Sequence, residues 1–300
     1  MKFDIKLKGC FLLILLFSIF NCTDNNNQSN SIDRINIGVI PSEEAERMVR
    51  RLEPIADYLS DKLGMSVKIY RANDYTAVIE GMKGKKIDVA VFGAFSYILA
   101  SENANAQPLV VAGKENEPAS YRSAIITHSN SGINTIEDIK NNSGKYTFSF
   151  SDPASTSGHL VPTGNLISWG IKPQEHFKNV MFSGSHTATI LSVATQKIDA
   201  AGVSYTVLNK LLERGAIKQE DYKVLWISKP IPVDLVTVRA DLPEELKEKL
   251  RSLYMRMKDE LPEIDQYFYD EWNDSTLRFI PVEDSAYSEV RKLANYIRKD

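Results

Sequence analysis

The sequence predicts an α/β fold, and three observations carry that prediction. From Ile35 onward, short runs of β-forming apolar residues alternate with stretches whose apolar residues recur at helical spacing. Gly, Pro and Asn fall mostly at the ends of those runs. About 270 residues follow the N-terminal segment, enough to bury a sizeable core without disulfide support. In order, Ile35–Ile40 is a first strand, ended by Pro41. Ser42, followed by Glu43 and Glu44, reads as a helix N-cap with acids in the first turn. Met48, Leu52, Ile55, Ala56 and Leu59 form that helix's apolar face, and Gly64 closes it. Val67–Tyr70 is a second strand, Tyr75–Met82 a short helix, and Ile87–Phe92 a third strand meeting Gly93. Strands at Leu109–Ala112 and Arg122–Thr127 follow. A second α/β region begins at Asn134, with strands at Tyr146–Ser149, Val180–Phe182, Ala200–Val203 and Val224–Ile227. Leu235–Val238 leads out of it, and helices at Glu244–Lys258, Ile264–Tyr269 and Ala286–Arg298 complete the chain. There is no internal repeat.

The N-terminus reads as a targeting segment. Lys2, Lys6 and Lys8 precede the apolar run Cys10–Phe20, which is too short for a mature membrane span. The stretch Ser18-Ile19-Phe20-Asn21-Cys22 resembles a bacterial lipoprotein signal, in which the cysteine becomes the lipidated first residue; Asn21 stands where Gly, Ala or Ser is usual. Residues 1–21 are therefore expected to be removed and Cys22 to carry a lipid anchor, with 22–32 as a flexible tether devoid of apolar residues up to Ser31. Cleavage and acylation leave the folded part without a free cysteine. The full chain has 36 basic and 39 acidic residues; without Lys2, Lys6, Lys8 and Asp4 the mature balance is 33 against 38. That balance does not suggest a nucleic-acid partner, and none is expected; an anionic ligand must find its positive potential locally.

Three constellations carry chemistry. In Ser151-Asp152-Pro153-Ala154-Ser155-Thr156-Ser157-Gly158, three hydroxyl residues sit where a strand ends and a helix begins. Unpaired N–H groups and the helix dipole favour an anion there, and the hydroxyls of Ser155, Thr156 and Ser157 can donate to it. A plain N-cap is the competing reading. Ser183-Gly184-Ser185-His186-Thr187 is a second strand-to-helix turn, which places His186 in a first helical turn at the same edge of the sheet. The four histidines, His128, His159, His176 and His186, lack metal-ligand spacing, so no metal or other cofactor is expected. Pro230-Ile231-Pro232-Val233-Asp234 is the third: its prolines fix the backbone before Asp234. A carboxylate accepts a hydrogen bond from a P–OH group and repels a fully ionised competitor such as sulfate. On spacing alone, a surface turn explains Asp234 equally well. Tyr97, Tyr121 and Tyr205 are aromatic candidates for a cleft lining, although core packing explains each of them as readily.

The ordered set of Glu53-Pro54-Ile55-Ala56-Asp57-Tyr58-Leu59, Asn73-Asp74-Tyr75, Glu80-Gly81-Met82, Ile87–Gly93, Asp152-Pro153 with Ser155-Thr156-Ser157-Gly158, Gly184-Ser185-His186, Lys197–Ala201 and Ile231–Asp234 resembles the phosphate, phosphite and phosphonate-binding proteins of ABC importers, the PhnD family. The resemblance runs from about Ile35 to Pro281. It implies a two-lobed type II periplasmic binding fold with a ligand cleft between the lobes: one lobe from 33–124 plus 239–300, the other from 125–238. It implies ligand contacts from Tyr75, Ser155, Thr156, Ser157, His186 and Asp234, with Phe92, Tyr205 and Thr206 as candidates for the cleft lining. Phe92 stands where a phosphonate-binding member has a ligand-touching tyrosine. Thr206 stands where aminophosphonate binders place a glutamate, which favours phosphate, phosphite or a small alkylphosphonate. The expected partners are that oxyanion and an ABC permease, and the expected state is a monomer. The rival readings are an anion-sensing lipoprotein for a signalling partner and a two-lobed anion-processing enzyme with Ser155 beside His159 or His186. The sequence offers the enzyme no nucleophile elbow and no paired acid–base motif.

Overall fold

The computed structural model describes residues 32–298; residues 1–31, and with them Cys22 and the expected signal segment, lie outside the described part. The chain opens as β1 (Arg34–Val39), α1 (Ala45–Leu63), β2 (Ser66–Arg71), α2 (Tyr75–Lys83), β3 (Val89–Phe92), α3 (Ala94–Ala104) and β4 (Ala106–Lys114). Ser42 does not cap α1. Glu44 occupies the cap position without a side-chain bond, and the Ser42 hydroxyl points at the Met48 sulfur. Leu52, Ile55, Ala56 and Leu59 form the buried face of α1, a helical stripe that needs no cap to hold the element in place. Gly64 ends α1 at φ 66°, with its N–H returning to the Ser60 carbonyl.

Two short strands, β5 (Glu117–Pro118) and β6 (Ser120–Tyr121), lead to β7 (Ser123–His128). There follow α4 (Ile136–Asn141), β8 (Thr147–Phe150), a π turn over Thr156–Leu160 running directly into α5 (Val161–Ser168), α6 (Pro173–His176), β9 (Asn179–Phe182), α7 (His186–Ala194), β10 (Ala200–Ser204), α8 (Tyr205–Glu213) and β11 (Tyr222–Ile227). Then β12 (Ile231–Pro232), β13 (Leu235–Arg239), α9 (Glu244–Glu260), α10 (Ile264–Trp272), β14 (Arg278–Pro281) and α11 (Ser288–Ile297) close the chain.

The strands sort into two large sheets and a two-stranded ribbon, β12-β6. The first has the order β14-β4-β13-β3-β1-β2, with β5 on β4. The second has the order β11-β7-β10-β8-β9. In each, one part is parallel (β2-β1-β3 and β10-β8-β9) and the flanking strands run antiparallel. The parallel strands are buried on both faces and read as continuous apolar runs, as Val89–Phe92 does. Pairing places all of β13 in the first sheet, although the sequence reading gives residues up to 238 to the other lobe. The chain passes between the sheets at 119–122 and 228–234, where β6 and β12 pair with each other, Tyr121 opposite Ile231. One apolar core of the second sheet forms around Ile126, Ile190, Val203 and Leu208, and another around Phe148, Phe150, Leu166 and Ile171. Each such fully buried side chain is worth roughly 1.5–3 kcal/mol of transfer free energy.

Candidate functional site

The loops after β1, β2, β3, β8, β9 and β10 all leave the C-terminal ends of parallel strands, the edge at which open α/β sheets place ligands. They meet around a cavity of about 50 Å³, lined by residues of both sheets' loops. One water needs about 10–15 Å³ by that measure, so the cavity admits a group the size of a small tetrahedral anion. Tyr75, Ser155, Thr156, His186 and Asp234 all line it, and so does Thr206. Ser157 is buried one layer behind, its hydroxyl 3.3 Å from His186 Nε2. Phe92 is wholly buried in β3, and Tyr205 packs against the second sheet's core; neither lines the cavity. Tyr97 is also elsewhere, its hydroxyl donating to Asp284 at 2.6 Å.

Helix starts surround the cavity. Tyr75 opens α2, Gly93 caps α3, Ser155 caps the π turn, His186 opens α7 and Ser204 caps α8, and all five line the cavity wall. Five positive dipole ends therefore converge on one small volume, although part of each first turn is already paired: the N–H groups of Tyr75, Phe95, Gly158, His186 and Tyr205 meet Asp152 Oδ2, Thr156 Oγ1, Ser155 Oγ, the Ser42 carbonyl and the Arg122 carbonyl. The caps explain this local folding. Ser155 Oγ accepts the Gly158 N–H at 3.0 Å, Ser185 Oγ that of Ala188 at 3.2 Å, and Ser204 Oγ that of Val207 at 3.4 Å. Thr156 Oγ1 accepts the Phe95 N–H at 2.9 Å from the first turn of α3, leaving its proton free to donate.

Gly158 is fixed by close approach, not by a positive φ. A Cβ there would lie 2.4 Å from Ser151 Oγ and 2.8 Å from His186 Cε1. Gly93 matters similarly, since its Cβ would enter the gap between Thr156 Oγ1 and Asp234 Oδ1 at 3.1 and 3.3 Å.

His186 has a defined tautomer. Its Nδ1 accepts the Ser204 backbone N–H at 3.1 Å and lies 2.9 Å from Ser151 Oγ. The proton of the neutral ring is therefore on Nε2, which faces Ser155 and Ser157 at 3.5 and 3.3 Å. Burial lowers the ring's pKa to about 4, with Glu43 opposing and Lys210 assisting, so His186 is an uncharged donor at neutral pH. Tyr75 is nearly fully buried and its pKa is pushed well above the usual phenol value, first by burial and then by Asp234. Tyr121 is raised for the same two reasons. Both are neutral donors, next to Ser155 and to Ser157 and Thr156 respectively. Asp234 is raised to about 7 by burial, then by Glu271, with Lys210 opposing and Glu43 assisting. It therefore titrates near neutrality, and a carboxyl group there can accept from an oxyanion when ionised or donate to it when protonated.

The far wall is ionic. Lys210 Nζ donates to Glu43 Oε1 at 2.9 Å and lies 3.6 Å from Glu271 Oε2. Arg51 reaches Glu271 at 2.9 Å and Glu43 at 3.3 Å, and Arg214 reaches Glu43 at 3.5 Å. Burial pushes the Glu43 carboxyl up, but Lys210, Arg51 and Arg214 hold it down at about 2. Glu43, Lys210 and Glu271 line the cavity together with Trp272. Sequence reasoning passed over this wall, Ser204 and Gly93 as cavity residues. The strand-to-helix position of Ser204 was a usable signal, the same one that exposed Ser155 and Ser185. For the ion pairs there was none, because partners such as Glu43 and Lys210 lie 167 positions apart.

Two sheets joined by a paired double crossing, with strand ends facing one polar cavity, define a type II periplasmic binding protein. Residues 37–287 match the family model for the periplasmic substrate-binding protein of phosphonate ABC transporters. The chain belongs to that family. It is 29% identical over 240 residues, 80% of this chain and 71% of the other, to the phosphonates-binding periplasmic protein of Escherichia coli. It is 28% identical to the phosphate-import protein PhnD of Mycolicibacterium smegmatis, over 74% of this chain and 71% of that one. Among solved structures, a binding protein component of an ABC phosphonate transporter from Pseudomonas aeruginosa superposes with a TM-score of 0.79 at 28% identity, covering 88% of this chain and 86% of the other.

Proposed function

We propose that this chain is an exported, lipid-anchored binding protein that captures a small phosphorus oxyanion (phosphate, phosphite or a small alkylphosphonate) for an ABC permease. Its two lobes, one built on each large sheet and joined at the crossings 119–122 and 228–234, close on the ligand. The observation that carries this reading is the convergence of five helix starts and several neutral donors on one small cavity that also contains Asp234. Neutral donors and dipoles hold a negative charge without a fixed counter-ion. Asp234 adds a test for a proton: it accepts from P–OH, which phosphate, phosphite and alkylphosphonates carry near neutral pH and sulfate lacks. The cavity volume favours a ligand with a small substituent or none. The names of the relatives, one for phosphonates and one for phosphate, support the class of ligand.

The same geometry argues against covalent catalysis. The His186 nitrogen that faces Ser155 bears the ring proton, while the basic nitrogen is already occupied by the Ser204 N–H, so Ser155 has no general base there. His159 donates through Nδ1 to the Pro153 carbonyl at 2.7 Å and packs edge-to-face against Phe150 and Phe182, outside the cavity lining.

Calorimetric titration with phosphate, phosphite, methylphosphonate, 2-aminoethylphosphonate and sulfate tests the reading. Heat from the first three with sulfate silent is the expected result, and silence from all five overturns it. The anchor has its own test. Cys22→Ala should move the protein from the membrane to the soluble fraction, and a variant that stays in the membrane fraction rules out Cys22 as the attachment point.

A further inference from the structure

The buried ion-pair cluster on the far wall is divided between the two sheets, and the division is not symmetrical. Glu43, Arg51 and Glu271 come from the loop after β1, from α1 and from α10, all on the first sheet. Lys210 comes from α8 and Arg214 from its C-cap, between β10 and β11 of the second. The first side thus carries two carboxylates and one guanidinium, and the second carries two cations with no acid of its own in the cluster. The Glu43 and Arg51 side chains are only 3% and 6% exposed, and Lys210 only 10%. Charges buried to this degree are favourable only while their partners stay in place. Glu43 Oε2 has no hydrogen-bond partner, and Arg214, also from the second sheet's side, is the ion paired with it. Three of the five bridges therefore exist only while the two sides touch: Lys210 to Glu43, Lys210 to Glu271 and Arg214 to Glu43.

We propose that Lys210 and Arg214 act twice in ligand capture, first as the cationic steering groups of an open cleft and then as the closing half of an ionic latch on Glu43 and Glu271. The inference rests on the closure reading above. With the sides apart, Lys210 stands uncompensated on the same cavity wall as Ser155, Thr156 and His186, with Arg214 four residues further along the chain, so the side that carries the hydroxyls attracts an anion while the Glu43 side repels it. The anion lands first on the second sheet's side. Closure then returns Lys210 and Arg214 to their carboxylates, so the cations that draw the ligand in do not remain as its counter-ions. The anion is left to neutral donors, and the latch sets the lifetime of the closed form. Lys210 and Arg214 are positioning residues in this scheme, since their closed-state partners are protein carboxylates.

Stopped-flow binding of inorganic phosphate, read by the fluorescence of Trp272 in the cavity wall, tests both actions. In the wild type the association rate should fall as potassium chloride rises from about 20 to about 500 mM. The variant Lys210→Met/Arg214→Met should associate about tenfold more slowly at low salt and lose most of that salt dependence. Glu43→Gln should associate at least as fast as the wild type, one repelling charge having gone, and release phosphate faster by about tenfold. Lys210→Arg, which keeps the charge, should retain the wild-type association and release rates, which separates loss of charge from loss of fold. Association in the double methionine variant as fast and as salt-dependent as in the wild type overturns the steering role. Unchanged release from Glu43→Gln overturns the latch. Small-angle scattering of the ligand-free protein decides the latch independently of any ligand. The wild-type radius of gyration should grow with salt, while the double variant should be expanded throughout. A salt-independent radius shared by both overturns the latch, whereas a salt-dependent radius without phosphate binding leaves the latch standing and overturns the proposed ligand.

Discussion

The two walls of the cavity meet the same problem, charge removed from water, in opposite ways. On one side, Tyr75, Tyr121, Ser155, Thr156 and His186 offer neutral donors backed by helix starts, and no lysine or arginine is needed to explain anion binding there. On the other, Glu43, Arg51, Lys210, Arg214 and Glu271 are full charges that satisfy one another. The contrast follows from what each wall must do. A ligand site has to be stable when empty, and neutral dipoles carry a far smaller desolvation cost than an unpaired buried ion. A contact between two protein surfaces can use ions, because both partners are always on the same chain.

The comparison breaks most severely if the neutral wall is displaced as a unit. Gly158→Ala does this, since the new Cβ would overlap Ser151 and push against the His186 ring. The expected cost is about 1–3 kcal/mol of stability from overpacking, a drop of several degrees in Tm. Anion binding measured by calorimetry should be lost with it, while the ionic wall, built on other elements, keeps its bridges. Full-strength binding by Gly158→Ala would mean that the π turn is not part of the site.

Why the neutral wall was legible in the sequence while the ionic wall was not follows from the range of each interaction. Ser155 and Ser185 act within three residues of themselves, through caps, so the pattern around a strand end reveals them. The α/β alternation is legible for the same reason, because period-2 and period-3.6 burial is local. Glu43 and Lys210 resemble solvated helix charges until the fold brings them to 2.9 Å. The failed cap at Ser42 belongs with them. Its carbonyl accepts the His186 N–H at 2.9 Å across the cavity wall, a tertiary role that overrides the local preference. Tyr121 became a cavity residue because the two crossing segments pair, bringing it opposite Ile231.

Asp234 sharpens the comparison because it is the one carboxyl group of the cavity that stands without a salt-bridge partner at the neutral wall. At pH 8 its carboxylate should admit a protonated phosphorus oxyanion and repel sulfate. Asp234→Asn should weaken phosphate binding by about tenfold to a hundredfold, the range for a hydrogen bond to a charged group, and let sulfate compete. The sign of the stability effect follows from its pKa, raised to about 7 from an ordinary 3.8. Between those values the folded chain holds a proton that the unfolded chain has lost, so stability falls as pH rises towards 7. Asp234→Asn should flatten that part of a Tm–pH curve and be the more stable protein at pH 8. Coincident Tm–pH curves, with sulfate still excluded from the variant, would remove Asp234 from the site.

The smallest effect separates a neutral wall from a cationic one most cleanly. With its pKa lowered to about 4, His186 in the folded chain refuses a proton that the unfolded chain accepts below about 6.5. Its contribution to stability is therefore complete above 6.5 and is lost as pH falls through that window towards 4. His186→Gln should reduce the acid slope of the Tm–pH curve by a modest amount. In the wild type, nitrogen NMR of the imidazole at pH 7 should place the proton on Nε2, and phosphate affinity should show no step near pH 6.5 attributable to this ring. An affinity that climbs on acidification with a midpoint near 6.5, and ceases to do so in His186→Gln, would make His186 a cationic ligand group. Both walls would then use full charge, and the division between them would fail.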